Sequence, residues 1–102
     1  MMIIYNVTTK IHNSISNDWL QWLKDVHVKE ILNTGCFTDY KILKLLEIEE
    51  EEGYTYALQL YADSKAIYNQ YIEKFAGKMR QAAFEKWGDK FISFRSVMQV
   101  VN

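Results

Sequence analysis

The feature that most constrains this chain is the order in which its hydrophobic period changes. The opening segment IIYNVTTKI alternates in β-branched and aromatic residues, with Ile3, Tyr5, Val7, Thr9 and Ile11 on one side and Ile4, Asn6, Thr8 and Lys10 on the other. From about Ser16 the period lengthens to that of a helix. Trp19, Leu23 and Val26 share a face at about 100° per residue, with Leu20, His27 and Ile31 beside them. Ser16 suits the N-cap, Ile15 and Leu20 stand at the spacing of a hydrophobic staple, and Gly35 ends the helix as a C′ residue would. The strand period returns over residues 37–48, breaks at the acidic tip EIEEEEGY, and resumes in YTYALQLY from Tyr54 to Tyr61. Asp63 or Ser64 then caps a second helical region carrying Ile67, Tyr71, Phe75, Met79, Ala83 and Trp87, which Gly77 bends or splits and Gly88 closes. KFISFRSVMQVV forms the last strand. The order β-α-β-β-α-β predicts an α+β, ferredoxin-like split βαβ arrangement, a single domain over residues 1–102 with both helical regions on one face of a four-stranded antiparallel sheet.

That topology leaves the other sheet face to water or to a partner. Both sides of the outer segments are apolar: Ile4 lies opposite Ile3 and Tyr5, and Ile92, Phe94, Met98 and Val100 lie opposite Phe91, Val97 and Val101. Such a face would expose an apolar patch on the order of several hundred Å², more than soluble monomers usually show. Sheet-against-sheet packing of two copies about a twofold axis removes it, so a homodimer is expected.

Composition narrows the function classes. With 102 residues, 49% hydrophobic and 15% aromatic, the chain can bury one core. A net charge of −1 implies no general attraction to nucleic acid or anionic membrane. The start MMIIYNVTTK lacks the basic region of a signal peptide, and no apolar run reaches transmembrane length. A single cysteine cannot form an internal disulfide, so a reducing, cytoplasmic setting is expected.

Few residues carry chemistry. Cys36 falls just past a helix C-terminus, where the negative end of the dipole opposes a thiolate, and reads as buried packing. One cysteine and two histidines at unrelated spacings make no metal pattern. His27 stands one turn from Leu23 and from Ile31, facing the sheet, with Glu30 close enough to hold a ring nitrogen. It fits a satisfied core residue or an acid/base group lining a cavity. Asn6, Gln59 and Arg95 put polar groups among apolar strand neighbours, and Tyr40, Tyr56, Tyr61 and Tyr71 add phenols. Convergent polar groups with aromatic walls describe a small-molecule pocket, although a polar network at a dimer interface reads the same. Gly53, Tyr54 and Tyr56 match part of an RNA-recognition motif, but Glu49 to Glu52 precede them and would repel phosphate. That acidic run reads as a solvated hairpin tip that protects a sheet edge.

The motifs MIIYNVT, W-x-x-W-x-x-x-x-H, TGCF and TYALQLYAD, nearly end to end, resemble an uncharacterised domain-of-unknown-function family of short bacterial proteins. More distantly, WLKDVHVKEILNTG is similar to the tryptophan–histidine–proline–glycine helix of EthD-like proteins, in the dimeric α/β-barrel superfamily that includes antibiotic-biosynthesis-monooxygenase-like members. His27 falls on the helix histidine and Gly35 on the closing glycine, while Lys29 replaces the proline. The resemblance implies the same fold, a dimer, and a cavity between sheet and helices used for cofactor-free lyase, isomerase or monooxygenase chemistry on small organic or aromatic acids. Haem-degrading relatives resemble the chain at Asn6 and Tyr71, but their helix histidine is Gln81 here, so no haem and no other cofactor is expected. The site expected is His27 as acid/base, with Asn6, Tyr61 and Arg95 orienting the ligand and Tyr71 as a wall. The rival is a non-catalytic homodimeric module in which these residues satisfy one another, and an RNA-recognition-like domain is the remotest alternative.

Overall fold

A computed structural model describes residues 1–102. The strands are β1 (Ile3–Ile11), β2 (Asp39–Lys44), β3 (Thr55–Ala62) and β4 (Phe91–Gln99), in the sheet order β2-β3-β1-β4 with every neighbouring pair antiparallel. The first helical arm runs through α1 (Ser16–Trp22), a π turn (Leu23–His27) and α2 (Val28–Leu32). The second comprises α3 (Lys65–Lys74) and α4 (Ala76–Trp87). The arrangement is the ferredoxin-like one that the order of periods predicts.

The core lies between the sheet and the two arms. Tyr5 and Ile11 of β1 and Leu58 and Leu60 of β3 meet Trp19, Leu23, Val28 and Ile31 of the first arm and Tyr71 and Ala76 of the second. Tyr5, Phe37 and Tyr71 form an aromatic cluster, with Phe37 and Tyr71 edge to face at 4.7 Å. The residues of β4 are all at least partly exposed, because this strand lies at the sheet's edge.

The helix ends depart from the expected pattern in two places and keep it in two others. Ser16 is not the N-cap: a 3₁₀ turn (Asn13–Ile15) precedes it, and the His12 ring caps that turn by accepting the Ser14 N–H at 3.1 Å. Ser16 is buried, and its hydroxyl has no protein partner. Ser64 does cap α3, its Oγ accepting the Ile67 N–H at 3.2 Å. The second arm splits at Phe75 (φ −125°), two residues before Gly77. Gly35 (φ 79°) closes the first arm, donating its N–H to the Leu32 carbonyl at 3.0 Å.

The largest departure concerns Val26, which the helical period places on the buried face. It is 42% exposed, whereas Val28 and Ile31 are buried. The π turn holds one residue more than an α-helical turn, so every later side chain falls one position behind the ideal phase. Val28 takes the inward place that an unbroken helix would give to His27, and His27 itself stands at the rim of the core.

The segment between β2 and β3 folds back against the end of β1. Gly53 passes so close to Ile11 that a Cβ there would sit 1.6 Å from its carbonyl oxygen, so only glycine fits. The acidic run pairs with strand lysines, Lys10 with Glu49 (3.6 Å) and Glu52 (3.8 Å), and Lys44 with Glu50 (3.7 Å). No helix is long and apolar enough to cross a membrane.

Candidate functional site

Strand alternation aims Tyr5, Val7 and Thr9 of β1, Leu58 and Leu60 of β3, and Phe91, Ser93 and Arg95 of β4 toward the helices. Trp19, Trp22, Leu23, His27 and Ile31 descend from the first arm, and Tyr71, Ala76, Met79, Arg80 and Ala83 from the second. Together they enclose a cavity of about 70 Å³, large enough for several waters or part of a small ligand.

The π turn moves His27 from the inward place to the rim of the core, where it still lines this cavity. Its ring stacks on Trp22 at 4.4 Å between centroids and 21° between planes, and Trp22 in turn meets the edge of Trp87 at 5.8 Å. Burial lowers the His27 pKa to about 4, since an apolar surround disfavours the imidazolium. The ring is therefore neutral at pH 7. Glu30, placed beside it by sequence spacing, is exposed on α2 and holds neither ring nitrogen. The only histidine in the protein's side-chain hydrogen bonds is His12.

Tyr71 is buried, and the same desolvation raises its phenol pKa. A nearby Tyr5 adds to the rise, while the charges of Arg80 and Arg95 oppose it. Arg95 lines the cavity and is exposed. His27, Tyr71 and Arg95 thus converge on one cavity.

Asn6 and Tyr61 do not join them. Asn6 lies between Tyr5 and Val7 and so points to the opposite sheet face, where its Nδ2 donates to Thr8 Oγ1 at 2.9 Å. Tyr61 lies between the buried Leu60 and Ala62 and faces the same way as Asn6. The strand period already required this. Their polarity among apolar neighbours is accounted for by a second surface, not by the cavity.

Sequence reasoning missed Tyr5, Trp22 and Arg80. Arg80 Nη2 donates to the Tyr5 hydroxyl at 3.3 Å. The available signal was its position one turn after Ala76, beside the inward-facing Met79. Cys36 is buried, with its Sγ 4.0 Å from the Thr34 carbonyl oxygen. Tyr56 stacks on Trp19 at 5.9 Å under the helices, so the open sheet face does not carry that ring.

The family model described as a domain of unknown function, DUF4286, matches residues 2–101. No curated protein matches the sequence. Among solved structures, the chain is similar to a dimeric ferredoxin-like protein from an uncultured marine organism, at 14% identity and TM-score 0.71, over 99% of this chain and 96% of that one. It is similar also to SnoaB, a cofactor-independent oxygenase from Streptomyces nogalater, at 7% identity and TM-score 0.70, over 99% and 94%. An EthD family protein from Bacillus halodurans aligns at 12% identity and TM-score 0.68, over 99% and 100%. At these identities the likeness concerns the fold.

Proposed function

The chain belongs to the DUF4286 family, and from that premise we propose that it is a homodimeric small-molecule-binding protein whose ligand, a small organic or aromatic acid, enters the cavity between sheet and helices. The observation that carries the reading is His27, a neutral imidazole on a π turn, facing a cavity it shares with Arg95 and Tyr71. A core histidine kept for structure has its ring nitrogens bonded to protein. Here Trp22 holds the ring by stacking, and neither ring nitrogen is hydrogen-bonded to protein.

Neutral His27 offers one accepting and one donating ring nitrogen, and burial makes it a weak base, which supports proton transfer only with a readily ionised carbon acid or enol. Lyase, isomerase or cofactor-independent oxygenase chemistry fits such a base, and SnoaB is described as an oxygenase of that kind. The fold hosts many reactions, so the reaction rests on the site and not on the likeness.

The dimer reading rests on the uncovered face. Phe94 is 66% and Ile92 56% exposed there, beside Leu43 and Met98, and two of the similar structures are described as dimeric. A single buried cysteine suits a cytoplasmic protein. The small cavity favours a second reading, a homodimeric module without a ligand.

A thermal-shift screen of small organic acids tests the choice, because a ligand that binds the native state raises its midpoint. A hit lost in His27→Ala, with that variant still folded, supports the pocket. A His27→Ala variant that unfolds, together with a screen lacking any hit, supports the module.

A further inference from the structure

The chain has only two arginines, Arg80 and Arg95, and both line the one cavity that holds His27. None of its lysines does, and none of its thirteen acidic residues does. The ion pairs all lie at the acidic hairpin with Lys10 and Lys44, so neither guanidinium has a carboxylate partner. Arg80 comes from α4 and Arg95 from β4, consecutive elements whose packing brings both side chains to one cavity. Both are exposed, which puts their charges where a ligand would enter, and the charge of each is felt at the Tyr71 phenol. Tyr5 steadies one of them by accepting from Arg80 Nη2 at 3.3 Å. Behind the pair the walls are aromatic and apolar, Trp19, Trp22, Leu23 and Phe91.

An arginine's planar fork matches a carboxylate, and a charge-assisted pair in a partly dry site is roughly twice as strong as a neutral hydrogen bond. We propose that Arg80 and Arg95 form a two-guanidinium clamp for the carboxylate of a monoanionic aromatic ligand, with Tyr5 fixing the orientation of Arg80. This rests on the pocket reading above and adds Arg80 as a binding residue and a carboxylate as the recognised group. The clamp spans α4 and the edge strand β4, consecutive elements joined by residues 88–90, so an occupied clamp adds a second tie between them.

The test is calorimetric titration of the full-length protein with two matched pairs, benzoate against benzamide and indole-3-acetate against indole-3-acetamide. Each acid is expected to bind at least about tenfold more tightly than its amide, with the advantage shrinking as salt is raised. Arg80→Gln and Arg95→Gln each collapse that ratio to within about threefold while leaving amide binding in place, and Arg80→Lys restores part of it. Circular dichroism confirms that the variants are folded, as expected for exposed side chains. Amide exchange in β4 and α4 slows with the acid and not with the amide. Equal binding of acid and amide overturns the clamp and leaves the pocket standing. An unchanged ratio in Arg80→Gln also overturns it. Failure of both members of both pairs to bind overturns the clamp and the pocket together.

Discussion

The two faces of the sheet are built from alternate residues of the same strands, yet they end in opposite states. Toward the helices, Tyr5, Leu58 and Leu60 are buried, and the polar groups Thr9, Ser93, Arg80 and Arg95 are gathered around one cavity. Away from the helices, Ile92, Phe94, Met98 and Leu43 stay exposed. A polar row of Ser96, Asn6, Gln59 and Lys41 crosses that face in register from edge to edge. One face is a finished core with a gap left in it. The other is an unfinished surface, apolar with a polar line through its middle, which suits a flat partner such as a second copy of itself. Apolar residues therefore mean different things one position apart: a packed core on one face, an uncovered surface on the other.

The contrast is broken most strongly in the core. Leu60→Ala, at a fully buried position, is expected to cost about 2–5 kcal/mol in urea unfolding, since little around it can collapse into the space. Phe94→Glu with Met98→Glu should leave the fold intact and weaken self-association by at least about a hundredfold, close to 3 kcal/mol, read by sedimentation. Wild-type protein that sediments as a monomer at micromolar concentration would remove the basis for that half of the comparison.

A smaller effect follows from His27. Its pKa is about 4 when folded against 6.5 when exposed, so as pH falls the unfolded chain takes up the proton first. Its contribution to stability is full above about pH 6.5 and is lost between that value and 4. Because the ring is only partly buried, the loss should be about 1–3 kcal/mol, taken as the difference in pH dependence between wild type and His27→Gln. Identical pH profiles for the two proteins would mean that the ring is more hydrated than its burial implies. Smallest of all, Tyr61→Phe on the outer face should change stability by less than about 0.5 kcal/mol, and Asn6→Ala should leave the affinity of a cavity ligand within about twofold.

Much of this contrast could be read locally. The alternation of β1 assigned its faces residue by residue, and the same rule applied to Asn6 and Tyr61 would have kept them out of the cavity. His27, Tyr71 and Arg95 were legible because each stands among inward-facing neighbours. Arg80 was not, because on α4 it looks like one more exposed charge. Its place one turn after Ala76 is a weak signal, and it is the cavity and the bond to Tyr5, 75 residues away in sequence, that mark it as part of the site.

The sequence by itself determined the order of elements and the two-faced strands, because those depend on neighbours one to four residues away and on the backbone's own sterics. Only the tertiary structure decided that the first arm takes a π turn, that Val26 faces out and His27 moves to the rim, that residue 53 must be glycine, and that both arginines meet at the cavity. Those outcomes depend on how Trp22, His27 and Trp87 pack, on how closely residue 53 passes Ile11 and on β4 lying beside β1. A local period carries no record of which distant side chains will meet it.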